Sequence, residues 1–398
     1  MNEISFIKNR VQSIDLLRGL AIIIMALDHT RNYFHADAMI FSPADLAKTT
    51  VDLFFTRWIT HFCAPVFVFL AGTSAFLVSQ RKTKKELSFF LLSRGLWLLI
   101  LELTVVNFGW TFNIQFPFFV LGVIWALGIS MLVLSILVYL PYSAILGVGI
   151  ILVAAHNLLD TIHVSGNTFR SFLWSSLHDP SWGRESGQLI IKSHSLIVDY
   201  PVLPWIGVMA LGYCFGYLYT PDVDVRTRKK RLSILGGAAV LLFIFLRLLN
   251  KYGDPHPWSA QKSPAFTFLS FLKVTKYPPS LQFILLTLGP AVLFLVLAEK
   301  FLKGFGKALI YIGRVPMFFY LVHIYLIHLL ALFAAKFSGY DWIDMVSRKP
   351  LTPVVTGYGF SLEMVYVVWI IVVLLLYPLC KQYDTYKSSH KKWWLSYL

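Results

Sequence analysis

Charge is what this chain has least of. Of its 398 residues, 14% are Asp, Glu, Lys or Arg and 57% are hydrophobic, and the mean hydropathy is +0.67. That balance excludes two or three ordinary soluble domains, which the length alone would allow. Cysteine is scarce too. Cys63, Cys214 and Cys380 all fall in apolar stretches, with neither metal-ligand spacing nor a disulfide pattern, and read as packing residues. A glycine-rich phosphate loop, an H-E-x-x-H motif and a nucleophile elbow are all missing, as are internal repeats and low-complexity tracts. Acidic residues are outnumbered 20 to 35 by Lys and Arg, for a net charge of +15. This excess has a topological explanation that needs no nucleic acid, given below.

What is present is apolar sequence in runs long enough to cross a bilayer, recurring from end to end. Membrane β-strands would alternate in segments of about ten residues, and these runs do not. The expected fold is therefore all-α, a polytopic membrane helical bundle forming one domain over residues 1–398. About ten spans are expected, near 14–34, 53–79, 88–108, 117–138, 141–161, 200–220, 233–250, 279–299, 308–335 and 360–380. Lys8 and Arg10 before the first run resemble a signal peptide, but the run continues into Asp28-His29 without a small-residue cleavage site and is kept as a span. Basic clusters at Lys8/Arg10, Arg81–Lys85, Arg226–Arg231, Lys300–Lys307 and Lys381–Lys392 all fall on one side under this count. Both termini are thus expected in the cytoplasm, as in a bacterial inner-membrane protein. Four long loops, 35–52, 162–199, 251–278 and 336–359, lie on the opposite side and are expected to cap a cavity. Their ionisable residues, His163, His178, Asp179, Arg184, Glu185, His194, Asp199, Asp254 and His256, read as solvated loop groups without diagnostic metal spacing.

The first span carries Asp15, Arg18, Asp28, His29 and Arg31, more ionisable groups than a plain anchor tolerates in hydrocarbon. Arg18 and His29 are eleven residues apart, so they share one helix face about 16 Å apart along the axis. The guanidinium suits a phosphate arriving from the cytoplasm, and the imidazole suits proton transfer near neutral pH. Asp15 is placed to pair with Arg18, and charge pairing for helix packing alone is the competing reading. Asp28 is about 100° round the helix from His29, so any partner orienting that imidazole comes from another helix. Arg57 and His61 repeat the cation–imidazole pairing in the second span, where Pro65 is expected to kink the helix and Gly72 and Ser74 to allow close helix approach. Arg94 and Glu102 in the third span read as pairing groups inside the bundle. The ninth span repeats the first, with Arg314 at the inner mouth and His323 about 13 Å further in. His328 lies on another face of that helix.

Two resemblances attach to these residues. Ser13-Ile-Asp15-Leu-Leu-Arg18-Gly-Leu-Ala21 through Asp28-His29 resembles the opening helix of integral-membrane acyltransferases of the acyltransferase-3 type, whose motif is a basic residue, ten residues, then His. The wider chain is similar to the bacterial branch of the heparan-α-glucosaminide N-acetyltransferase family. That likeness is carried by Asp15-x-x-Arg18-Gly19, Ala64-Pro65-Val66 to Ser74, Pro204-Trp205-Ile206-Gly207-Val208-Met209, Lys276-Tyr277-Pro278-Pro279-Ser280 and Gly313 to His323. It implies acetyl-CoA on the cytoplasmic side, an acceptor on the far side, classically a glucosamine amine, and an intramembrane His. The family's key His precedes the second span, where His35 is the one His available and its spacing differs. His29 therefore stands first as catalytic residue and His35 second.

The expected activity is acetyl transfer from acetyl-CoA to an amine or hydroxyl of a sugar or glycoconjugate. Arg18 and Arg314 would hold the anionic part of CoA, and His29, or His35, would act as base or acetyl carrier. His61 and His323 would orient or relay, with Asp28, Arg31 and Arg57 in support. Neither a metal nor nucleic acid is expected, while the bilayer and a homo-oligomer are. The rival readings are a lipid or glycan transporter using the same charges as a path, and a structural envelope protein that needs neither CoA nor His29.

Overall fold

The computed structural model describes residues 11–38, 40–181, 186–191, 193–346, 355, 357–390, 392 and 395. Lys8, Arg10, Arg184, Glu185 and Lys391 lie outside them. The chain is mostly helical. The first helix, α1 (Gln12–Phe34), is followed by α2 (Val51–Ile59), a tight turn at Thr60–Phe62, and α3 (Cys63–Ser79). Next come α4 (Lys84–Leu101), a widened turn at Glu102–Val106, α5 (Asn107–Thr111), β1 (Phe118–Leu121), α6 (Val123–Leu137) and α7 (Tyr142–Ala155). An insertion holds α8 (Phe169–Leu177), β2 (Leu189–Ile191) and β3 (His194–Val198). The second half has α9 (Leu203–Phe215), α10 (Val225–Leu249), α11 (Pro264–Leu272), α12 (Leu281–Leu297), α13 (Phe305–Arg314), α14 (Pro316–Phe337) and α15 (Leu362–Ser389).

Among the described residues, six helical stretches are long and apolar enough to cross a membrane: Val51–Ser79, Lys84–Thr111, Tyr142–Leu159, Val225–Leu249, Pro316–Phe337 and Leu362–Ser389. Val123–Leu137, Leu203–Tyr219 and Leu281–Leu297 are shorter apolar helices. Two expectations need correction. The run from 117 opens as a strand, because β1 pairs in parallel with β3, which pairs antiparallel with β2, giving a small sheet in an otherwise helical fold. The run from 308 is two helices. Proline at 316 has no N–H to continue a helix, so α13 ends at Arg314 and α14 starts afresh. The second run, by contrast, remains one stretch, Val51–Ser79, bent near the expected proline. Pro65 cannot donate to the carbonyl of His61, and the chain tightens at Thr60–Phe62 between α2 and α3.

The fold is built around α1, which packs against α3, α13, α14 and α15. Glycine brings it within reach of α13. A methyl group on Gly19 would fall 1.9 Å from the carbonyl oxygen of Leu309, and one on Gly313 1.9 Å from that of Asp15. The same device joins α3 to α9, where a Cβ on Gly72 would meet the Met209 carbonyl oxygen at 2.1 Å. Small residues at helix contacts let backbones approach where apolar side chains have no water to escape.

The segment between α10 and α12 is pinned from both sides. Buried Arg247 donates to the carbonyls of Phe271 (2.9 Å), Ser270 (2.9 Å), Lys273 (2.5 Å) and His256 (3.1 Å) and to Oε1 of Gln282 (3.2 Å). The carboxylate of Asp254 accepts from the Thr275 N–H (2.7 Å) and hydroxyl (3.1 Å) and from the Ser280 hydroxyl (2.7 Å). Asp254, read as a solvated loop group, is thus a fastener that holds residues 273–280 in place.

Candidate active site

The two ends of α1 carry different charge clusters. At the start, Arg18 donates to Asp15 (3.2 Å), to the Gly313 carbonyl (3.3 Å) and to the Ser74 hydroxyl (2.9 Å). Arg314 lies 3.7 Å from the other Asp15 oxygen and 3.4 Å from Asp384. The two arginines therefore share one buried aspartate, and the pairing of Asp15 with Arg18 is realised. Beside them is a cavity of about 350 Å³ lined by Gln12, Lys303, Lys307, Tyr311 and Arg314 among others. Three of those five side chains are cationic.

Toward the other end, Asp28 binds two guanidiniums, Arg31 at 3.1 Å and Arg57 in a short contact. All three are largely buried, and Arg31 also donates to Asn32 (2.7 Å). Arg57 reaches on to the Tyr277 hydroxyl at 3.5 Å. The cluster holds one carboxylate for two arginines, so its fixed charge is positive.

Adjoining this second cluster lies a histidine pair. His29 Nδ1 is 2.7 Å from His323 Nε2, with ring planes 15° apart. His323 Nδ1 is 3.0 Å from the Phe319 carbonyl oxygen, which only accepts. That nitrogen therefore carries the proton, and in neutral His323 Nε2 is left as a lone pair. His29 must then donate from Nδ1, which turns its Nε2 into the basic nitrogen. Second hydrogen bonds select histidine tautomers in this way. His323 is fully buried while His29 keeps partial exposure, so the basic nitrogen belongs to the more exposed of the two rings. Trp110 packs edge-on to His29 at 4.7 Å and Tyr320 at 6.3 Å.

The remaining expected residues divide. His61 is buried beside Phe283 (5.4 Å), and its Nδ1 has no hydrogen-bond partner among the described residues. Arg57 lies in α2 and His61 in the turn after it, so the expected single face becomes two local positions. His35 caps the end of α1. Its Nδ1 accepts from the Asp37 N–H (3.2 Å), its backbone bridges to Phe360, and burial lowers its pKa. It is not in the hydrogen-bonded histidine pair. His328 ties Gly109 (2.9 Å) to Met345 (3.0 Å) through their carbonyls. Arg94 lies over the Phe90 ring at 4.1 Å, and Glu102 accepts from the Gly122 N–H at 2.6 Å.

Two loop residues to which the sequence alone assigns no site role face this region. Asp199 follows β3, held by its N–H and that of Tyr200 on the Leu121 carbonyl at 3.2 and 3.1 Å. It is half-buried rather than solvated, and burial pushes its carboxyl up to about 6 against the pull of Lys276 and Arg57. Lys276 lies 5.7 Å from the Tyr200 ring centre and 5.0 Å from that of Tyr277. His178 is also buried, bound to Asp160 at 2.9 Å.

Fold and site together define an integral membrane protein with a basic imidazole presented inside a helical bundle. The family model for the catalytic region of heparan-alpha-glucosaminide N-acetyltransferase matches residues 10–248, and the chain belongs to that family of acetyltransferases. No curated protein matches it. The matched region holds His29, Asp28, Arg57, His61 and Asp199, whereas His323, Lys276 and Arg314 lie beyond it.

Proposed function

We propose that the protein transfers an acetyl group from cytoplasmic acetyl-CoA to an amine or hydroxyl of a sugar or glycoconjugate on the other side of a bacterial inner membrane. In this reading one domain crosses the bilayer ten times, with α1, the six long apolar stretches and the three shorter ones, and both termini are cytoplasmic. Support comes from the ends of the helices. Arg18, Arg314, Lys303 and Lys307 gather at the start of α1, while Asp199, Lys276 and His35 lie toward its other end.

The cavity at Lys303, Lys307 and Arg314 takes the phosphates of CoA. Its volume is near the low end of ligand sites, roughly 300–1,000 Å³, so it holds a phosphate-bearing portion while the thioester arm runs along α1. Arg18 steers that arm and stays bound to Asp15. His29 Nε2 removes the proton from the attacking amine or hydroxyl and passes it to the departing thiolate. His323 keeps His29 in the required tautomer. The positive cluster at Asp28, Arg31 and Arg57 stabilises the oxyanion of the tetrahedral intermediate.

The observation that carries this reading is the His29–His323 hydrogen bond, which leaves the free nitrogen of the more exposed imidazole as a base. The test uses purified protein in detergent, acetyl-CoA labelled in the acetyl group and a panel of amino sugars. Label should reach a sugar with wild type and not with His29→Ala. A protein that binds no CoA would remove the proposal and favour a transport role.

A further inference from the structure

Asp199 and Lys276 form a second unit beside the histidines. The Asp199 carboxylate makes no hydrogen bond or ion pair with any described residue, and neither does the Lys276 ammonium. Each is half-buried. The two are near enough for the charge of Lys276 to act on Asp199, and it acts on His29 as well. Both sit on backbone held from outside the site. Asp199 is anchored on the β1 edge, and Lys276 lies between the Arg247 and Asp254 fasteners. Tyr277 continues the chain of contacts, with its hydroxyl 3.5 Å from Arg57 and its ring 5.2 Å from that of Tyr200. An acid and a base within each other's field, with aromatic faces but no hydrogen-bond or ion-pair partner among the described residues, leave polar capacity for a ligand, since partly buried charges are costly without such partners.

We infer that Asp199 and Lys276 are the acceptor-recognition groups of this site, Asp199 binding the ammonium of an amino sugar and Lys276 donating to its neighbouring oxygens. This rests on the acetyl-transfer reading and selects the amine from the two acceptor classes. An amine arrives in water mostly as ammonium, which has no lone pair for attack. Asp199 takes that first proton and releases it to solvent. The neutral amine then attacks the thioester carbonyl carbon. The C–N bond forms, the C–S bond breaks, and the second amine proton goes to His29 Nε2 and on to the thiolate.

The arrangement sets a pH dependence. The charged and titratable groups facing Asp199 are Lys276, Arg57, Asp28, Glu102 and Tyr200. With its carboxyl raised to about 6, Asp199 is ionised at pH 7.5 and loses its charge as pH falls through that value. Ammonium binding therefore weakens toward pH 5.

The experiment measures glucosamine and glucose binding to the full-length protein in detergent at pH 7.5 and 5, with acetyl-CoA binding and thermal stability recorded in parallel. Wild type is expected to prefer glucosamine about tenfold or more at pH 7.5, as a charge-assisted contact allows, and to lose most of that preference at pH 5. Asp199→Asn should remove the preference and its pH dependence while acetyl-CoA binding and stability hold. Lys276→Met should weaken both sugars. If Asp199→Asn lowers stability, Asp199→Glu serves instead, and should retain part of the preference and its pH dependence. Equal binding of the two sugars by wild type, or an unchanged preference in Asp199→Asn, overturns the inference. Failure of acetyl transfer with the preference intact would instead count against the activity.

Discussion

The two ends of α1 hold similar residues and differ in balance. At the Arg18 end two arginines meet two aspartates, Asp15 and Asp384, so the charges are matched and the extra cations, Lys303 and Lys307, line the adjoining cavity. Toward the His29 end one aspartate serves two arginines, and the histidine pair makes hydrogen bonds without any carboxylate. A matched cluster holds helices together and leaves ligand binding to its rim. An unmatched one keeps a field available for charge that develops during a reaction. In the proposed reading, that difference makes one end of α1 the docking end and the other the chemical end.

Five substitutions test that separation. The largest effect is expected at the chemical end, where His29→Ala should lower acetyl transfer about 10²–10⁴-fold, the usual range for losing a general base. A labelled-acetyl assay at saturating acetyl-CoA reads it. Next is Arg57→Met. Removing one partner of a buried ion pair costs about 3–5 kcal/mol, whereas Arg314, whose side chain is 25% exposed, should cost about 1 kcal/mol or less when replaced. Thermal unfolding of both variants in detergent compares them, and equal losses would erase the contrast. Gly313→Ala should destabilise by about 1–3 kcal/mol because its methyl meets the Asp15 backbone and pushes α1 from α13. The smallest effect is assigned to Lys307→Ala, a severalfold rise in the KM for acetyl-CoA with kcat unchanged and a weaker salt dependence. A fall in kcat instead would move Lys307 out of the docking role.

Much of this was legible in the residues. Continuous apolar runs marked the helices, and the spacing of Arg18 and His29 marked α1 as more than an anchor. The Asp15–Arg18 pair followed from helix geometry alone. What stayed hidden depended on distant segments meeting. His29 and His323 are far apart in the chain, and no local pattern says which helix faces which. The break at Val315-Pro316 was visible as a proline, yet the apolar sequence runs straight across it. Asp199 looked like an ordinary loop residue, and Lys276 was marked only as part of a family-like stretch, because their positions come from the β1–β3 pairing and from the Arg247 and Asp254 fasteners, which form only when the loops fold onto the bundle. A run of β-branched and apolar residues at 196–198 hinted at a strand, but a three-stranded sheet in a helical membrane chain was outside the expected fold.

The central claim is that His29 supplies the base and His323 sets its tautomer. It is tested most directly by the transfer rate from labelled acetyl-CoA to glucosamine with wild type, His29→Ala and His323→Gln at pH 7.5, each checked for intact folding. The account predicts transfer by wild type, background with His29→Ala, and a reduced but measurable rate with His323→Gln, whose amide oxygen can still accept from His29 Nδ1–H. Transfer by His29→Ala at the wild-type rate would contradict it.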